Sequence, residues 1–251
     1  MHFDVITLFP EWVETVIAQG VVGKAANSGV FSLNCVNPRD FTTDTHQTVD
    51  DRPYGGGPGM VMKADCLLKT IRTVKQKNSG KVLYMSPQGK PLTQAALQQL
   101  AVEKSLIILC GRYEGVDERV LNLEVDEEYS LGDYVLSGGE LGAMVVIDGV
   151  SRLLPGALGH ADSATQDSFT DGLLDCPHYT RPDTVEGYAV PDILKSGDHG
   201  AIEKWRRKQA LGITWLKRPD LLQNRVLQPA EQKLLDEYRQ EYKVSSEVNH
   251  E

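Results

Sequence analysis

Leu106-Ile107-Ile108-Leu109-Cys110 is an apolar run with no polar position inside it. A strand with one wet face alternates apolar and polar residues. A strand without alternation is covered on both faces, as in parallel sheets sandwiched between helices. Parallel strands cannot be joined by hairpins, because each needs a crossover, usually a helix. This short run therefore requires strands and helices to alternate elsewhere in the chain, and they do. His2 to Phe9 reads as a first strand. Pro10, Glu11 and Glu14 suit the first turn of a helix with Val13, Val16 and Ile17 on one face. Val30 to Val36 alternates as a second strand. A helix over about Lys63 to Lys77 presents Leu67, Leu68, Ile71 and Val74, and Asn78-Ser79-Gly80 ends it. Lys81 to Met85 is a strand, followed by the turn Ser86-Pro87-Gln88-Gly89. A helix with Ala96, Leu97, Leu100 and Ala101 inward then leads to the apolar run. Beyond it come Gly111-Arg112-Tyr113-Glu114-Gly115 and a short helix near Asp117 to Leu121. The pattern predicts an α/β domain with a parallel sheet. Ligands of such sheets bind in loops beyond the carboxyl ends of the strands, here 86–89, 111–115 and 131–139.

The last of these loops is the most unusual. Ser130 to Glu140 has too many glycines for a strand and too many apolar residues for a solvent loop. Gly132, Gly138 and Gly139 can reach positive φ or let another group approach closely, and Tyr134 and Leu136 alternate with Asp133 and Val135 as a short extended piece would. From Glu140 to Leu154 apolar residues cover most faces of a helix, so that helix is buried. The loop suits either the edge of a flat heterocycle or a tight structural turn. Residues 53–60 hold four glycines and two prolines, which excludes helix or central strand.

No apolar run exceeds about five residues, far short of a membrane span. Met1-His2-Phe3-Asp4 shows no basic region or long apolar core, so no signal peptide is read. The four cysteines are widely spaced, which suits reduced thiols in the cytoplasm. The net charge of −9 argues against nucleic acid, but its distribution is uneven. Acids dominate from Glu114 to Glu140. Lys204, Arg206, Arg207, Lys208, Lys217 and Arg218 face one acid, Glu203, between 201 and 218. Gly159 to Phe169 is small, polar and unperiodic, a linker or lid and hence a domain boundary. The remainder reads as mostly helical. Asp198 can cap a helix bearing Lys204, Arg207 and Lys208, and Pro229 starts a last helix with Leu234, Leu235, Tyr238 and Tyr242 inward. The final eight residues read as frayed. Three regions follow, 1–158, a linker 159–172, and 173–251.

Neither G-x-G-x-x-G nor a P-loop occurs, so neither a dinucleotide dehydrogenase nor a P-loop NTPase is favoured. Cys176-Pro177-His178 offers two metal ligands, too few for a site. On spacing alone, Arg152 is a cation at a helix C-terminus, Asp167 a solvated acid or N-cap, and the 204–208 run a solvated helix face.

Together, Gly57-Pro58-Gly59-Met60, Ser86 to Gly89, Cys110 to Arg119, Ser130 to Glu140 and Leu173-Leu174-Asp175-Cys176-Pro177-His178-Tyr179-Thr180-Arg181-Pro182 resemble the bacterial tRNA (guanine-N1)-methyltransferases of the SPOUT class. The match runs in order from about Phe3 to Leu235. The resemblance implies a parallel sheet with a deep trefoil knot followed by a small helical C-terminal domain that binds tRNA. It implies a homodimer with active sites at the subunit interface, and methyl transfer from S-adenosyl-L-methionine to N1 of guanosine 37 when a guanosine precedes it. By the same resemblance Gly111, Leu131, Gly132, Asp133, Tyr134, Val135, Leu136, Gly138 and Gly139, with Tyr84, Ser86 and Pro87, hold the cofactor. Asp167 is the general base, and Arg152 faces guanine O6. Glu114, Gly57, Gly59, Lys204, Arg207 and Lys208 meet the substrate. Magnesium is a further candidate cofactor, with Glu114 as its contact. Two alternatives stay open: a SPOUT methyltransferase acting on another RNA site or on ribose, and a non-enzymatic RNA-binding protein.

Overall fold

The computed structural model describes residues 1–158, 167–223 and 225–248, with side chains to residue 244. The chain divides into two compact units, Met1–Ala161 and Asp162–Glu251.

The strands of the first unit are β1 (His2–Ile6), β2 (Ser32–Val36), β3 (Asp50–Asp51), β4 (Val61–Met62), β5 (Lys81–Pro91), β6 (Ser105–Cys110) and β7 (Glu127–Ser130). Five of them form one parallel sheet in the order β2-β1-β6-β5-β7, and β3 and β4 make a separate antiparallel pair. The continuous apolar run is β6, near the middle of the sheet, and Leu106 to Cys110 are fully buried. The helices are α1 (Pro10–Glu14), α2 (Gly20–Asn27), α3 (Ala64–Lys75), α4 (Gln94–Ala101), α5 (Glu118–Glu124) and α6 (Glu140–Ser151). The period of two sorts the sheet's side chains between two cores. Phe3, Val5, Leu83, Met85, Leu106 and Ile108 meet α2, α4 and α6. Ile6, Val82, Tyr84, Ile107 and Leu109 meet α3 and α5. Both faces are therefore dry, as β6 requires.

The structure departs from the sequence expectations at several places. β5 runs to Pro91 rather than ending at Met85. Met85 and Lys90 both pair with Tyr129, so residues 86–89 bulge out of one continuous strand instead of ending it. β7 was not anticipated, because two glutamates open it. Its edge position explains them, since Glu127 there accepts from Lys81 Nζ (2.8 Å), Lys90 Nζ (2.6 Å) and Tyr129 Oη (2.8 Å). These donors hold its carboxyl down at about 2. α2, with Gly20 and Gly23 inside it, was also not anticipated. Residues Asp133 to Ser137 are exposed and belong to no strand, because no strand pairs with them.

The second unit is built on α7 (His199–Lys217), the short α8 (Asp220–Gln223) and α9 (Pro229–Val248). Asp198 caps α7 as expected, its Oδ1 accepting from the Ala201 N–H at 3.0 Å. Leu173, Leu211, Leu234 and Leu235 form its buried core. Tyr238 packs where a Cβ on Gly212 would lie 2.2 Å from its ring. Tyr242, expected inward, is 39 % exposed and edges Trp215 at 6.1 Å. A small ribbon, β8 (Thr184–Val185) and β9 (Tyr188–Ala189), interrupts the expected helical run. Glu186 and Gly187 between them both have positive φ, as a tight hairpin turn needs. Most of the expected linker, residues 159–166, lies outside the described residues, as do residues 249–251 of the tail.

Candidate active site

The three loops singled out beyond the strand ends meet in one cleft. It is lined by Tyr84 to Pro87 from β5 and its bulge, by Gly111 to Gly115 after β6, and by Tyr129 to Gly132 and Tyr134 to Gly139 after β7. Of the residues expected to hold a cofactor, Gly111, Leu131, Gly132, Tyr134, Val135, Leu136, Gly138, Gly139, Tyr84, Ser86 and Pro87 all line it, and Asp133 does not. Its rim is apolar and open to water, with Val135 87 %, Tyr134 55 % and Leu136 40 % exposed.

The glycines of the cleft serve the protein's own packing more than was expected. Gly139 has an ordinary φ of −82°, but a Cβ there would lie 2.9 Å from Cys110 Cα. Its N–H donates to Gly111 O at 3.0 Å, so two backbones pass in contact. A Cβ on Gly138 would lie 2.3 Å from Arg112 Nε. Gly132 alone of the three takes positive φ.

Arg112 is the residue that sequence reasoning missed. Its Nη1 donates to Ser137 O (3.1 Å), and its Nε donates to Glu140 Oε1 (3.2 Å). Its Nη2 lies 2.9 Å from Glu140 Oε2. Glu140 is fully buried and also accepts from Thr7 Oγ1 at 2.9 Å. The guanidinium lies 4.4 Å from the Phe9 ring centroid and 5.3 Å from that of Trp12. Arg112 thus ties the glycine loop to the start of α6 and to the end of β1. Nothing local in the sequence signals this, since Thr7 stands 133 residues from Glu140.

Glu114 is exposed at the same edge. The backbone of its loop pairs with residues 60–62, with Glu114 N–H to Met60 O (2.9 Å) and Met62 N–H to Gly115 O (2.9 Å). Gly59 takes positive φ, and a Cβ there would collide with the Glu114 side chain at 2.2 Å. Gly57 also has positive φ with open space around it. The fold therefore brings Gly59 to Glu114.

Arg152 is the C-cap of α6, whose first turn starts at the cleft. Twelve helical residues separate the two ends, or roughly 18 Å at 1.5 Å per residue. The structure does not bring Arg152 to the cleft of its own chain. Asp167 belongs to the second unit, where its carbonyl accepts from the Thr170 N–H at 3.3 Å.

The expected basic face divides in two. Lys204 and Arg206 are exposed. Arg207 instead pairs with Asp171 and Glu231, and Lys208 pairs with Glu241 at 2.7 Å. Part of the acidic stretch is likewise engaged within the protein. Glu124 meets Arg72 (2.8 Å) and Lys75 (2.9 Å), Glu127 meets its two lysines, and Glu140 meets Arg112. Among the described residues, the group of three potential metal ligands within 4.8 Å of one another is Asp175, Cys176 and His178, not a set around Glu114. The backbone adds Asp175 to the two ligands legible in sequence, and its Oδ2 lies 2.8 Å from His178 Nε2. No helix is long and apolar enough to cross a membrane among the described residues.

The chain was compared with known proteins. It is 61 % identical over 247 residues to a tRNA (guanine-N(1)-)-methyltransferase of Nitrosococcus oceani, covering 97 % of this chain and 98 % of the relative. It is 59 % identical over 246 residues to one of Methylococcus capsulatus, with the same coverage. One of Pseudoalteromonas atlantica is 58 % identical over 241 residues, covering 95 % of this chain and 91 % of the relative. The family model described as tRNA (Guanine-1)-methyltransferase TrmD matches residues 1–224. With the β5 bulge and the loops after β6 and β7 gathered into one cleft and this match over most of its length, the chain belongs to the tRNA (guanine-1)-methyltransferase family.

Proposed function

We propose that this chain methylates N1 of guanosine in tRNA, at position 37 on the 3′ side of the anticodon and after a guanosine, with S-adenosyl-L-methionine as donor. The observation that carries the reading is the cleft formed by the bulge of β5 and the loops after β6 and β7, apolar-rimmed and walled by closely packed backbone. Its residues fit the cofactor: Tyr134, Leu136 and Pro87 offer apolar walls, and the Gly111 to Gly139 segments offer main-chain groups to an adenine edge. When bound, S-adenosyl-L-methionine supplies a methyl group activated by its sulfonium.

The chain's own residues must deal with the proton on guanine N1. Asp167 accepts it, and Arg152 faces O6, where negative charge grows as N1 is deprotonated. The target base leaves its stack to reach the cleft. Magnesium, the second cofactor expected, prefers oxygen ligands. The Asp175–Cys176–His178 group offers a thiol and an imidazole, so no step is routed through a metal.

The active site is assigned to two copies of the chain. Arg152 stands a whole helix length from its own cleft. Leu141 (38 %) and Val145 (44 %) on α6 are exposed beside Trp12 (37 %), the apolar face a homodimer would cover. We place the deep trefoil knot at the crossing of the 131–139 loop with residues 110–112, supported by the tight Gly139–Cys110 approach. Residues 1–158 form the catalytic domain, 159–172 the linker, and 173–251 the tRNA-binding domain with Lys204 and Arg206 toward the phosphates. The protein is assigned to the cytoplasm. Methyl transfer to tRNA transcripts with and without guanosine at position 37, followed by nucleoside analysis, tests the reading. Methylation of ribose or of another base would overturn it.

A further inference from the structure

The turn that carries Asp167 is held by a compact charge network. Thr170 N–H donates to Asp167 O (3.3 Å), Gly172 N–H to Phe169 O (3.2 Å), and Phe169 N–H to Leu173 O (2.6 Å). Phe169 takes a φ of 72°, which a residue with a Cβ adopts only when its surroundings impose it. Those surroundings are charged. Arg207 of α7 pairs with Asp171 and with Glu231 at the start of α9. Arg225 donates to the Asp171 carbonyl and reaches Glu231 Oε1 at 3.3 Å. Asp171 Oδ1 accepts from the Leu173 N–H at 3.3 Å. Two further bonds fix the far side: Leu174 N–H to Thr214 Oγ1 and Asp175 N–H to Ser168 Oγ, each 2.9 Å. Burial alone would raise the Asp171 carboxyl, and Arg207, with the Leu173 N–H and Arg225, more than offsets it, holding it below the usual range.

The two carboxylates and two guanidiniums therefore balance within the second unit, and Arg207 is already occupied. We infer that Asp171 and Arg207 are positioning residues that fix the Asp167 turn on α7 for proton removal, and that Arg207 is not a tRNA phosphate contact. The inference rests on Asp167 as the base.

The test measures single-turnover methyl transfer at saturating tRNA and S-adenosyl-L-methionine. The full-length variants are Asp171→Asn, Arg207→Met, their double mutant, Asp167→Ala, and Leu235→Ala as a control that loosens the same unit's core. Asp171→Asn and Arg207→Met should each slow transfer on the order of tenfold to a hundredfold, as a misplaced reacting group does. The double mutant should lose no more than the worse single mutant. Affinity for tRNA and its salt dependence should stay unchanged. Weakened tRNA binding with a shallower salt slope in Arg207→Met, together with a normal rate in Asp171→Asn, would make Arg207 a phosphate contact and overturn the inference. A rate loss no greater than that of Leu235→Ala at equal loss of Tm would reduce the pair to ordinary stability and also overturn it. If Asp167→Ala is inactive while Asp171→Asn keeps its full rate, the positioning role alone fails. If Asp167→Ala keeps the wild-type rate, the base assignment fails and the inference with it. Should Arg207→Met not fold, Asp171→Asn, which keeps the shape of the side chain, carries the test through the same readouts.

Discussion

The two units hold their functional segments by different physics. In the first, the cleft loops hang from a parallel sheet with dry cores on both faces, and backbone contacts between Gly111 and Gly139 set their approach. Among the described residues the first unit's most buried ion pair is Arg112 with Glu140. In the second, four leucines make the buried core, and the Asp167 turn is fixed by Asp171, Arg207, Arg225 and Glu231. A deep apolar core places backbone, which suits a pocket that reads edges and shapes. A thin core leaves orientation to hydrogen-bonded charges, which suits the turn that carries Asp167, the proposed base.

The comparison can be broken most severely at Asp167. Asp167→Ala should cut methyl transfer by orders of magnitude and leave S-adenosyl-L-methionine affinity nearly intact. Calorimetric titration beside single-turnover rates checks this, and an equal loss of affinity would give Asp167 a structural role. Arg112→Ala strands a fully buried carboxylate in the first unit. It should cost about 3–5 kcal/mol of stability by denaturant titration and weaken cofactor binding, since the Ser137 contact goes with it. Normal binding in a folded variant would show that Arg112 does not hold the loop. In the second unit, Leu235→Ala should cost about 2–5 kcal/mol, read as a shift of that unit's unfolding transition.

The smallest effect sharpens the contrast in pH. Glu127 has its pKa lowered from 4.5 to about 2 by Lys81 and Lys90. A lowered folded-state pKa stabilises above the unfolded value, and that stabilisation is lost as pH falls through 4.5 toward 2. Glu127→Gln should therefore lower first-unit stability at pH 7, where this stabilisation is fully present, and flatten its acid dependence between 4.5 and 2. An unchanged acid limb would mean that other carboxylates set it.

The parallel sheet was legible because Leu106 to Cys110 admits few alternatives, and the three cleft loops followed from where strands end. β7 was not legible, since Glu127 and Glu128 look like solvent until lysines from β5 reach across the edge. The bulge at 86–89 looked like a turn because Pro87 and Gly89 are turn residues, and only pairing with Tyr129 showed that the strand continues. The basic run at 204–208 looked like one face. The structure divides it, with Lys204 outward and Arg207 and Lys208 consumed by carboxylates from α9 and the Asp167 turn.

By itself the sequence determined the local periods of its strongly patterned segments: which of them are helices or strands, which faces are apolar, and which glycine-rich pieces cannot be either. These depend on residues within a few positions of one another, so spacing reads them. Tertiary structure alone decided which charge meets which, Arg112 with Glu140 and Thr7, and Arg207 with Asp171 and Glu231. Such pairs form between segments far apart in the chain, and a long side chain carries no local mark of the partner it will find. Where such a pair is buried, as Arg112 with Glu140 is, weaker screening strengthens it, and that burial exists only once the fold has closed around it.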